Sequence, residues 1–423
     1  MKPYSTSTFT AYVGIDWADK KHDFCLRAMG SDVYESGILE HTPQAIALWA
    51  QSLHERFGGP IAVCLELTKG PLVYALQRHD FFVIFPVHPS TLARYRQAFT
   101  PSGAKDDPSD ARTALDILQR HPEQLEALQP SSQAMRMLSV LVEERRRLTD
   151  GVTRITNRLT STLKQYYPQP LDWFEHRNTA IFCDFLSRWP SLAQVRRART
   201  ATLESFFRAH NCRRAYLVNE RIAGIRAATP LTEDEAVIRP ARMVVETLVA
   251  QLRVSLEAIE RFDAEIDCVA QSLADYALFA SLPGAGPIQT PRLLVAFGED
   301  RSRFANAGEI QRYAGIAPVL ERSGNRSWVH WRYACSTFLR QTLVEWAGST
   351  IPRSYWAGLY YHQQRAKGSS HGMAVRALAF KWIRILFKMW KTGTAYDEST
   401  YLKALSAHGS SLVTTPMSDA NTA

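Results

Sequence analysis

The chain lacks every pattern that would mark it as a secreted, disulfide-bonded or membrane-spanning protein. Its six cysteines are scattered without a Cys-x-x-Cys pair, which argues against both a zinc site and a disulfide framework. No run of about 18 apolar residues could cross a bilayer, and the first residues show no charged-then-apolar signal segment. These absences predict a soluble, cytoplasmic protein with reduced thiols and no membrane partner.

A second absence concerns acidic residues. Between Ala347 and Tyr396 the sequence has no Asp or Glu but eight Lys or Arg, which is most of the net charge of +9. Cations that follow a phosphate backbone, beside rings that stack on bases or pack beneath them, are typical of a nucleic-acid surface. Six aromatic residues are interleaved with these cations: Tyr355, Trp356, Tyr360, Tyr361, Trp382 and Trp390.

The same segment also fits an amphipathic helix over an apolar core. Trp382, Ile385, Leu386 and Met389 recur at helical spacing, so we assign them to the core and the basic residues to a contact face. A second basic stretch, residues 301–340, has seven arginines and two acids. The residues predicted to bind nucleic acid are Arg303, Arg312, Arg322, Arg326, Arg332, Arg340, Arg365, Lys367, Arg376, Lys381 and Arg384.

Four carboxylates near the start of the chain form a candidate metal site. Asp16 and Glu66 each end an apolar run, and Asp107 and Asp110 lie three apart at a predicted helix start, where they share a face. Strand ends of a layered α/β sheet open onto the usual crevice, and carboxylates there suit Mg²⁺ or Mn²⁺. Taken singly, each acid also fits an ordinary turn or helix cap.

The first 125 residues alternate strand and helix patterns. Three strands followed by alternating helices and strands is the order of a ribonuclease-H-like domain, a RuvC-like fold of the α/β class. The predicted strands are 11–16, 22–28, 33–38, 61–66 and 81–86, and the predicted helices are 43–57, 71–79, 90–98 and 108–120.

The second region, residues 126–275, is predicted to be all-α. Two long helices with coiled-coil-like seams pair either within one chain or between two chains of a dimer. Prolines at Pro168, Pro170 and Pro190 break the helices between them. The seams consist of Leu138, Leu141, Leu148, Val152, Ile155, Leu159 and Leu163, and of Val245, Leu248, Leu252, Ile259, Phe262, Ile266, Val269 and Leu273.

The third region, residues 276–396, is predicted to be mainly helical, and residues 397–423 to be a disordered tail. Its first motif is the glycine-rich turn 282–287, which either brings backbone N–H groups to a phosphate or simply links two helices. Ser323 follows in a tight turn between Arg322 and Arg326. It is a candidate nucleophile for phosphorus, although a Ser-Gly turn alone is commonly structural, and His330 has no clear role.

These motifs occur in an order that resembles the insertion-sequence transposases of the IS-one-ten and IS-eleven-eleven group. The resemblance covers nearly the whole chain to about Tyr396. It rests on Gly14-Ile15-Asp16, Leu65-Glu66, Lys105-x-Asp107-x-x-Asp110-Ala111, Leu282-Pro283-Gly284-x-Gly286, Phe304, Tyr313-Ala314-Gly315-Ile316-x-Pro318, Arg322-Ser323-Gly324 and Leu339-Arg340.

The resemblance implies a DNA recombinase with a DEDD catalytic domain and a separate C-terminal transposase domain. Asp16, Glu66, Asp107 and Asp110 match the metal ligands, and Ser323 matches the serine that becomes covalently linked to DNA. The family also implies a guide RNA from the element, which pairs with donor and target DNA, and a dimer or tetramer that shares active sites between subunits. Asp106 departs from the family motif and is an alternative ligand.

Two other functions remain compatible with these residues. A RuvC-like junction nuclease would use the carboxylates with water as the nucleophile, which leaves Ser323 with a structural role. A nucleic-acid-binding protein that keeps the fold without catalysis would need neither the carboxylates nor the serine.

Overall fold

The computed structural model describes residues 9–99, 107–129, 131–333, 335–410 and 412, and Asp107 by its backbone alone. Lys105 and Asp106 therefore lie outside the described residues. The chain divides into two compact units, Met1–Pro130 and Ser131–Ala423. No described helix is both long and apolar enough to cross a membrane.

The first unit is a mixed α/β domain, as predicted. Its sheet has the strand order β3-β2-β1-β4-β5, with β1 antiparallel to β2 and parallel to β4. The elements are β1 Ala11–Asp16, β2 Lys21–Ala28, β3 Glu35–Glu40, α1 Pro43–Phe57, β4 Ile61–Leu65, α2 Pro71–Leu76, β5 Phe82–Pro86, α3 Pro89–Phe99 and α4 Asp107–Arg120.

Helices cover both faces of this sheet, which explains why its central strands are almost wholly apolar. One face packs against α1 and α2, and the other against α3 and α4. The helix α1 begins and ends where predicted, because Thr42 accepts a hydrogen bond from the Ala45 N–H and Gly58 closes the helix at φ 61°. Strand β3 begins two residues later than the predicted strand 33–38. The reason is that Arg27 bonds to Ser31 and Asp32 and holds the preceding segment as a turn.

The second unit is mainly helical. It contains the two longest helices, α5 and α11, and one two-stranded hairpin. The elements are α5 Gln133–Tyr166, α6 Pro170–Trp173, α7 Ala180–Arg188, α8 Leu192–Arg197, α9 Thr200–Ala209, α10 Ala215–Ala227, α11 Glu235–Gln271, α12 Tyr276–Ala280, α13 Gly286–Phe297, α14 Ala307–Tyr313, β6 Val319–Ser323, β7 Arg326–His330, α15 Thr337–Thr350, α16 Tyr355–Ala366, α17 His371–Thr392 and α18 Glu398–Ala407.

The helices α5 and α11 pack against each other within the chain. Their facing residues enter two successive hydrophobic cores, and the Arg145 guanidinium on α5 pairs with the Asp263 carboxylate on α11. One core joins an end of this helix pair to α12–α17 and so spans residue 275, the predicted limit between two domains. Those domain limits, the coiled coil and the oligomer remain predictions.

Two features of the second unit differ from the sequence expectation. The segment around Ser323 is a β-hairpin rather than a turn in a helical region. Residues 398–407 form α18 rather than a disordered tail, because Asp397 caps the helix and Tyr401 packs on Trp356 with ring centroids 4.9 Å apart. Within the rest of the predicted tail, residues 411 and 413–423 lie outside the described residues.

Candidate active site: a carboxylate edge and a serine hairpin

The ends of two adjacent parallel strands place Asp16 beside Glu66. Ile15 and Leu65 are the last residues that pair between β1 and β4, Asp16 is the final residue of β1, and Glu66 directly follows β4. Both are partly exposed, in contrast to the buried residues before them. We call Asp16, Glu66 and Asp110 the carboxylate edge.

Asp110 lies on α4, which packs directly on β1. A Cβ atom on Gly14 would be 2.0 Å from the Ala111 carbonyl oxygen and 2.5 Å from the Leu115 nitrogen, so glycine alone allows this approach. Asp110 precedes Ala111, and Asp16 follows Gly14 by two residues on the same face of the strand. The close helix–strand contact therefore sets Asp110 one residue from the point where α4 touches β1.

Asp110 has a cationic partner that the sequence analysis missed. The Arg96 guanidinium on α3 forms an ion pair with the Asp110 carboxylate, and their side chains are 16% and 5% exposed. Removing one partner of a buried pair typically costs about 3–5 kcal/mol, because the remaining charge is left without compensation. Arg96 therefore anchors Asp110. The sequence gives no signal for this ion pair, because Arg96 and Asp110 lie on two different helices.

The residue types of the carboxylate edge suit a divalent cation, although their described side chains do not form a preformed cluster. Carboxylate oxygens from two strand ends and one helix are the hard ligands that Mg²⁺ and Mn²⁺ prefer. Asp107 is the first residue of α4, one helical turn before Asp110, and its side chain is not described. Among the described side chains, no group of three or more acidic, histidine or cysteine residues forms a metal-binding cluster.

Strand β2 adds polar residues that the sequence analysis did not single out. Asp23 lies directly opposite Asp16 in the antiparallel register and is 8% exposed. His22 is fully buried, with its Nε2 2.9 Å from Nδ1 of His41. Burial, and then the neighbouring His41, lowers the pKa of His22 to about 4, so this imidazole is neutral at physiological pH. Along β2, His22 alternates with Phe24 and Leu26 on one covered face, and Asp23 alternates with Cys25 on the other, a pattern that indicates burial of both.

Ser323 lies at the tip of a hairpin formed by residues 319–330, which we call the serine hairpin. Ser323 pairs with Arg326, and Gly324-Asn325 form the connection, with Gly324 at φ 57°. A two-residue Gly-Asn connection between β-forming runs is a sequence signal for a hairpin, and it was overlooked. The Ser323 side chain is exposed, so its hydroxyl is accessible to a large substrate.

The strand register separates the two arginines beside Ser323. Ser323 shares a face with Arg326, its cross-strand partner, and with Glu321 and Trp328. Arg322 pairs with Ser327 on the opposite face. Of the two arginines predicted to stabilise charge at the serine, Arg326 is therefore the one placed to do so within the hairpin.

His330 is engaged elsewhere on the hairpin. Its Nε2 lies 2.8 Å from Glu321 Oε1, and Trp328 Nε1 donates to Glu321 Oε2 at 2.8 Å. The hydrogen bond to Glu321 raises the pKa of His330, and the bonds from His330 and then Trp328 lower the pKa of Glu321. His330 pairs with a residue four positions from Ser323, about 13 Å along the strand. It is therefore not positioned to accept the Ser323 proton.

The predicted nucleic-acid-binding cations divide into two groups. Burial lowers the pKa of Lys381, whose ammonium lies 4.2 Å from the Tyr360 ring centroid, so part of its role is structural. The partly buried group is Arg303, Arg332, Arg340, Arg376 and Lys381. The exposed group, free to meet phosphates, is Arg312, Arg322, Arg326, Arg365, Lys367 and Arg384.

The aromatic residues between these cations mostly pack beneath them. Trp356, Trp382 and Trp390 are fully buried, whereas Tyr355 is 59% exposed. Trp382, Leu386 and Met389 belong to the core as predicted, and Ile385 packs against it. The helix face over an apolar core is thus confirmed for this segment.

The glycine-rich turn packs against α15. Trp346 Nε1 donates to the Pro283 carbonyl oxygen at 3.1 Å, and Ser349 Oγ donates to that of Gly284 at 3.3 Å. A Cβ atom on Gly284 would lie 2.7 Å from Ser349 Oγ, and Gly284 has φ 71°. These contacts favour the helix-linker interpretation of the turn over the phosphate-binding one.

Comparison with protein families finds two matches along the chain. The DEDD transposase model for IS110 matches residues 13–168, and a model described as transposase of the IS116/IS110/IS902 family matches residues 276–362. The first match contains the carboxylate edge and the second contains the serine hairpin. A DEDD transposase domain implies a ribonuclease-H-like fold and suggests dependence on a divalent metal.

Curated relatives align over between about half and most of the chain. The mini-circle putative transposase for IS117 of Streptomyces coelicolor is 26% identical over 400 residues, covering 92% of this chain and 96% of the relative. The uncharacterized 43.6 kDa protein of insertion element IS110, from the same species, is 26% identical over 415 residues, covering 93% and 97%. The putative transposase y4uE of Sinorhizobium fredii is 29% identical over 211 residues, covering 48% and 57%.

Proposed function

Since the chain belongs to the IS116/IS110/IS902 family of transposases, we propose that it cuts and rejoins DNA through a covalent bond between Ser323 and a DNA phosphate. Membership of a transposase family supports DNA transposition as the activity of this chain, and transposition implies that the protein cuts DNA. The observation that supports the serine most directly is its exposed position at a hairpin tip, beside Arg326 on the same face.

The covalent step exchanges one phosphodiester bond for another. Ser323 Oγ bonds to phosphorus while the bond from phosphorus to one nucleoside oxygen breaks. The serine proton passes to water, and the released nucleoside oxygen takes up a proton. Arg326 neutralises the charge that builds on the phosphate oxygens, since a fixed cation stabilises a developing oxyanion. Attack by a hydroxyl of a second strand then reverses the step and reseals DNA without ATP.

In this proposal the carboxylate edge, with Asp107, holds Mg²⁺ or Mn²⁺. The bound cation supplies Lewis-acid polarisation of phosphate and hydroxyl oxygens. Asp16 and Glu66 bind from adjacent strand ends, and Asp110 binds from the helix that rests on Gly14. Arg96 fixes the orientation of Asp110.

We further propose that a structured RNA from the element selects donor and target DNA, and that the protein acts as a dimer or tetramer. The protein then needs to follow nucleic-acid backbones rather than read bases. The net charge of +9 and the exposed cations of the second unit support this division of labour. Sequencing of RNA that co-purifies from cells carrying the intact element tests it, and recovery of only random cellular RNA would contradict it.

A RuvC-like nuclease that uses water is the second candidate. The observation in its favour is that His330 is paired with Glu321 at the far end of the hairpin, so it offers Ser323 no base there. In that case the carboxylates and a bound cation would activate water, and the serine would remain unmodified.

Covalent capture distinguishes the two candidates. The full-length protein is incubated with end-labelled donor DNA, cognate RNA and Mg²⁺, then denatured and digested for mass spectrometry. The transposase mechanism predicts a peptide containing Ser323 that carries a nucleotide. Cleaved DNA with no peptide adduct would support hydrolysis and overturn the serine mechanism.

A further inference from the structure

Large apolar side chains are exposed on and directly after the serine hairpin. An exposed apolar cluster of this kind is typical of a binding surface. The exposed fractions are 52% for Leu320, 46% for Trp328, 64% for Val329, 50% for Trp331 and 80% for Tyr333.

Trp331 is held as a flat platform. The Arg376 guanidinium lies 3.4 Å from the centroid of its ring, and half of the side chain remains exposed. Arg376 is itself fixed, because its Nε donates to the Ile316 carbonyl oxygen at 3.2 Å and its Nη2 donates to that of Gly315. The ring therefore has a cation on one face and accessible surface for a second planar group.

The base of the hairpin is clamped next to this platform. A Cβ atom on Gly315 would lie 2.2 Å from Cys335 Sγ, and Gly315 has φ 65°. Gly315 precedes the hairpin and Cys335 follows it, so both ends of the segment are held together. A platform fixed in this way loses little conformational entropy when a ligand stacks on it.

The charges of the serine hairpin, which precedes the platform, favour nucleic acid as the ligand. Arg322 and Arg326 are exposed on the two faces of the hairpin, and in the described part of the chain neither pairs with a carboxylate. Glu321, the acid within the hairpin, is already bonded to His330 and Trp328. Arginines without a carboxylate partner, on the same hairpin as exposed aromatic rings, suit the phosphates and bases of a single strand.

We propose that Trp331, supported by Arg376, stacks on unpaired bases of the DNA strand that the serine hairpin holds. The proposal rests on the proposed function, which places the scissile phosphate at Ser323. Trp331 directly follows the hairpin and is five residues beyond Arg326, the partner of Ser323, which corresponds to about 17 Å of extended chain. That distance is spanned by about five stacked bases of one strand.

The test measures binding of the full-length protein to a fluorescein-labelled single-stranded oligonucleotide and to its duplex, at one fixed salt concentration. Trp331→Ala is expected to weaken single-strand binding roughly 5- to 150-fold, the range for loss of one base–aromatic stack. Duplex binding should change less than about twofold, since paired bases are not available for stacking. Trp331→Phe keeps a ring and should restore most of the affinity.

Tyr216→Ala is the matched control, because Tyr216 is an exposed aromatic residue, 64% accessible, on α10. It should leave both affinities unchanged. Unchanged single-strand affinity in Trp331→Ala would overturn the proposal, and so would an equal loss for single strand and duplex. A fall in molar mass by light scattering with unchanged DNA affinity would identify the surface as a protein contact and overturn it as well.

Failure of the stacking proposal can be distinguished from failure of the covalent mechanism by a second variant. Ser323→Ala should keep the single-strand affinity, because the hydroxyl adds no stacking surface. If Ser323→Ala still formed a protein–DNA adduct, the covalent mechanism would fail while the effect of Trp331→Ala on single-strand binding would stand.

Discussion

The carboxylate edge and the serine hairpin hold their polar groups by opposite means. Asp110 is 4% exposed, paired with Arg96, and carried by a helix that touches the backbone of β1. All residues from 320 to 329, including Ser323, are exposed on a two-stranded ribbon. A sheet covered on both faces fixes its side chains before a ligand arrives, whereas an isolated hairpin is marginally stable.

This difference indicates a division of tasks. The carboxylates gain from a rigid frame, because a cation site tolerates little displacement of its ligands. The nucleophile gains from an exposed arm, because it must reach a phosphate inside a bulky DNA substrate. We therefore expect substitutions at the edge to act through geometry and stability, and substitutions on the hairpin to act through chemistry with little effect on folding.

The largest expected effect is at the hairpin tip. Ser323→Ala should abolish the protein–DNA adduct, a loss of at least about a thousandfold, because no other group can replace the attacking oxygen. The measurement is the labelled DNA retained on protein in a denaturing gel. Ser327→Ala is the control, because Ser327 pairs with Arg322 on the opposite face of the same hairpin. Equal loss in both variants would show that the hairpin fold, rather than the hydroxyl, was measured.

The next effect is at the carboxylate edge. Asp16→Asn should reduce DNA cleavage at saturating Mg²⁺ by about a hundredfold or more, because metal polarisation supplies several kcal/mol. It should also weaken Mn²⁺ binding measured by calorimetry without DNA. Asp19→Asn removes an exposed acid from the turn after β1 and should change neither quantity. Full Mn²⁺ affinity in Asp16→Asn would place the cation elsewhere.

A third experiment tests the rigid frame without touching a carboxylate. Gly14→Ala places a methyl group against the backbone of α4 and should destabilise the first unit by about 3 kcal/mol or more. The midpoint of thermal unfolding reports this loss, and cleavage should fall with it. Gly372→Ala is the control, because a Cβ atom there meets nothing within 4 Å. An unchanged midpoint in Gly14→Ala would show that the edge is less rigid than the contact indicates.

The smallest effect concerns pH and the hairpin. The hydrogen bond to Glu321 raises the pKa of His330 above 6.5, and the same pairing lowers the pKa of Glu321 below 4.5. The pairing therefore stabilises the hairpin at pH values between the lowered pKa of Glu321 and the raised pKa of His330. It is lost as pH rises through the pKa of His330 and as pH falls through that of Glu321. Amide hydrogen exchange, corrected for intrinsic rates, should show greater protection at pH 6 than at pH 9. Glu321→Gln should remove this difference, and persistence of the difference would contradict the pairing.

Sequence patterns predicted the first unit closely, for identifiable reasons. Strands buried on both faces read as apolar runs, and α1 carries both a Thr42 cap and a terminal Gly58. At Ser323-Gly324 the sequence predicted a turn but not the two strands that flank it, although β-forming residues lie on either side. Composition predicted disorder for residues 397–423. Residues 398–407 are helical instead, because Asp397 caps the helix and Tyr401 packs on Trp356.

The sequence alone determined the candidate catalytic groups, which are the four acids of the predicted metal site and Ser323. It also determined the excess of cations over acids in the C-terminal half. Local patterns were sufficient for these because they depend on neighbours in sequence. Only the tertiary structure decided that Arg96 anchors Asp110 and that Arg376 supports Trp331. Such pairings join distant segments, and the packing of whole elements selects them from many sequence-compatible alternatives.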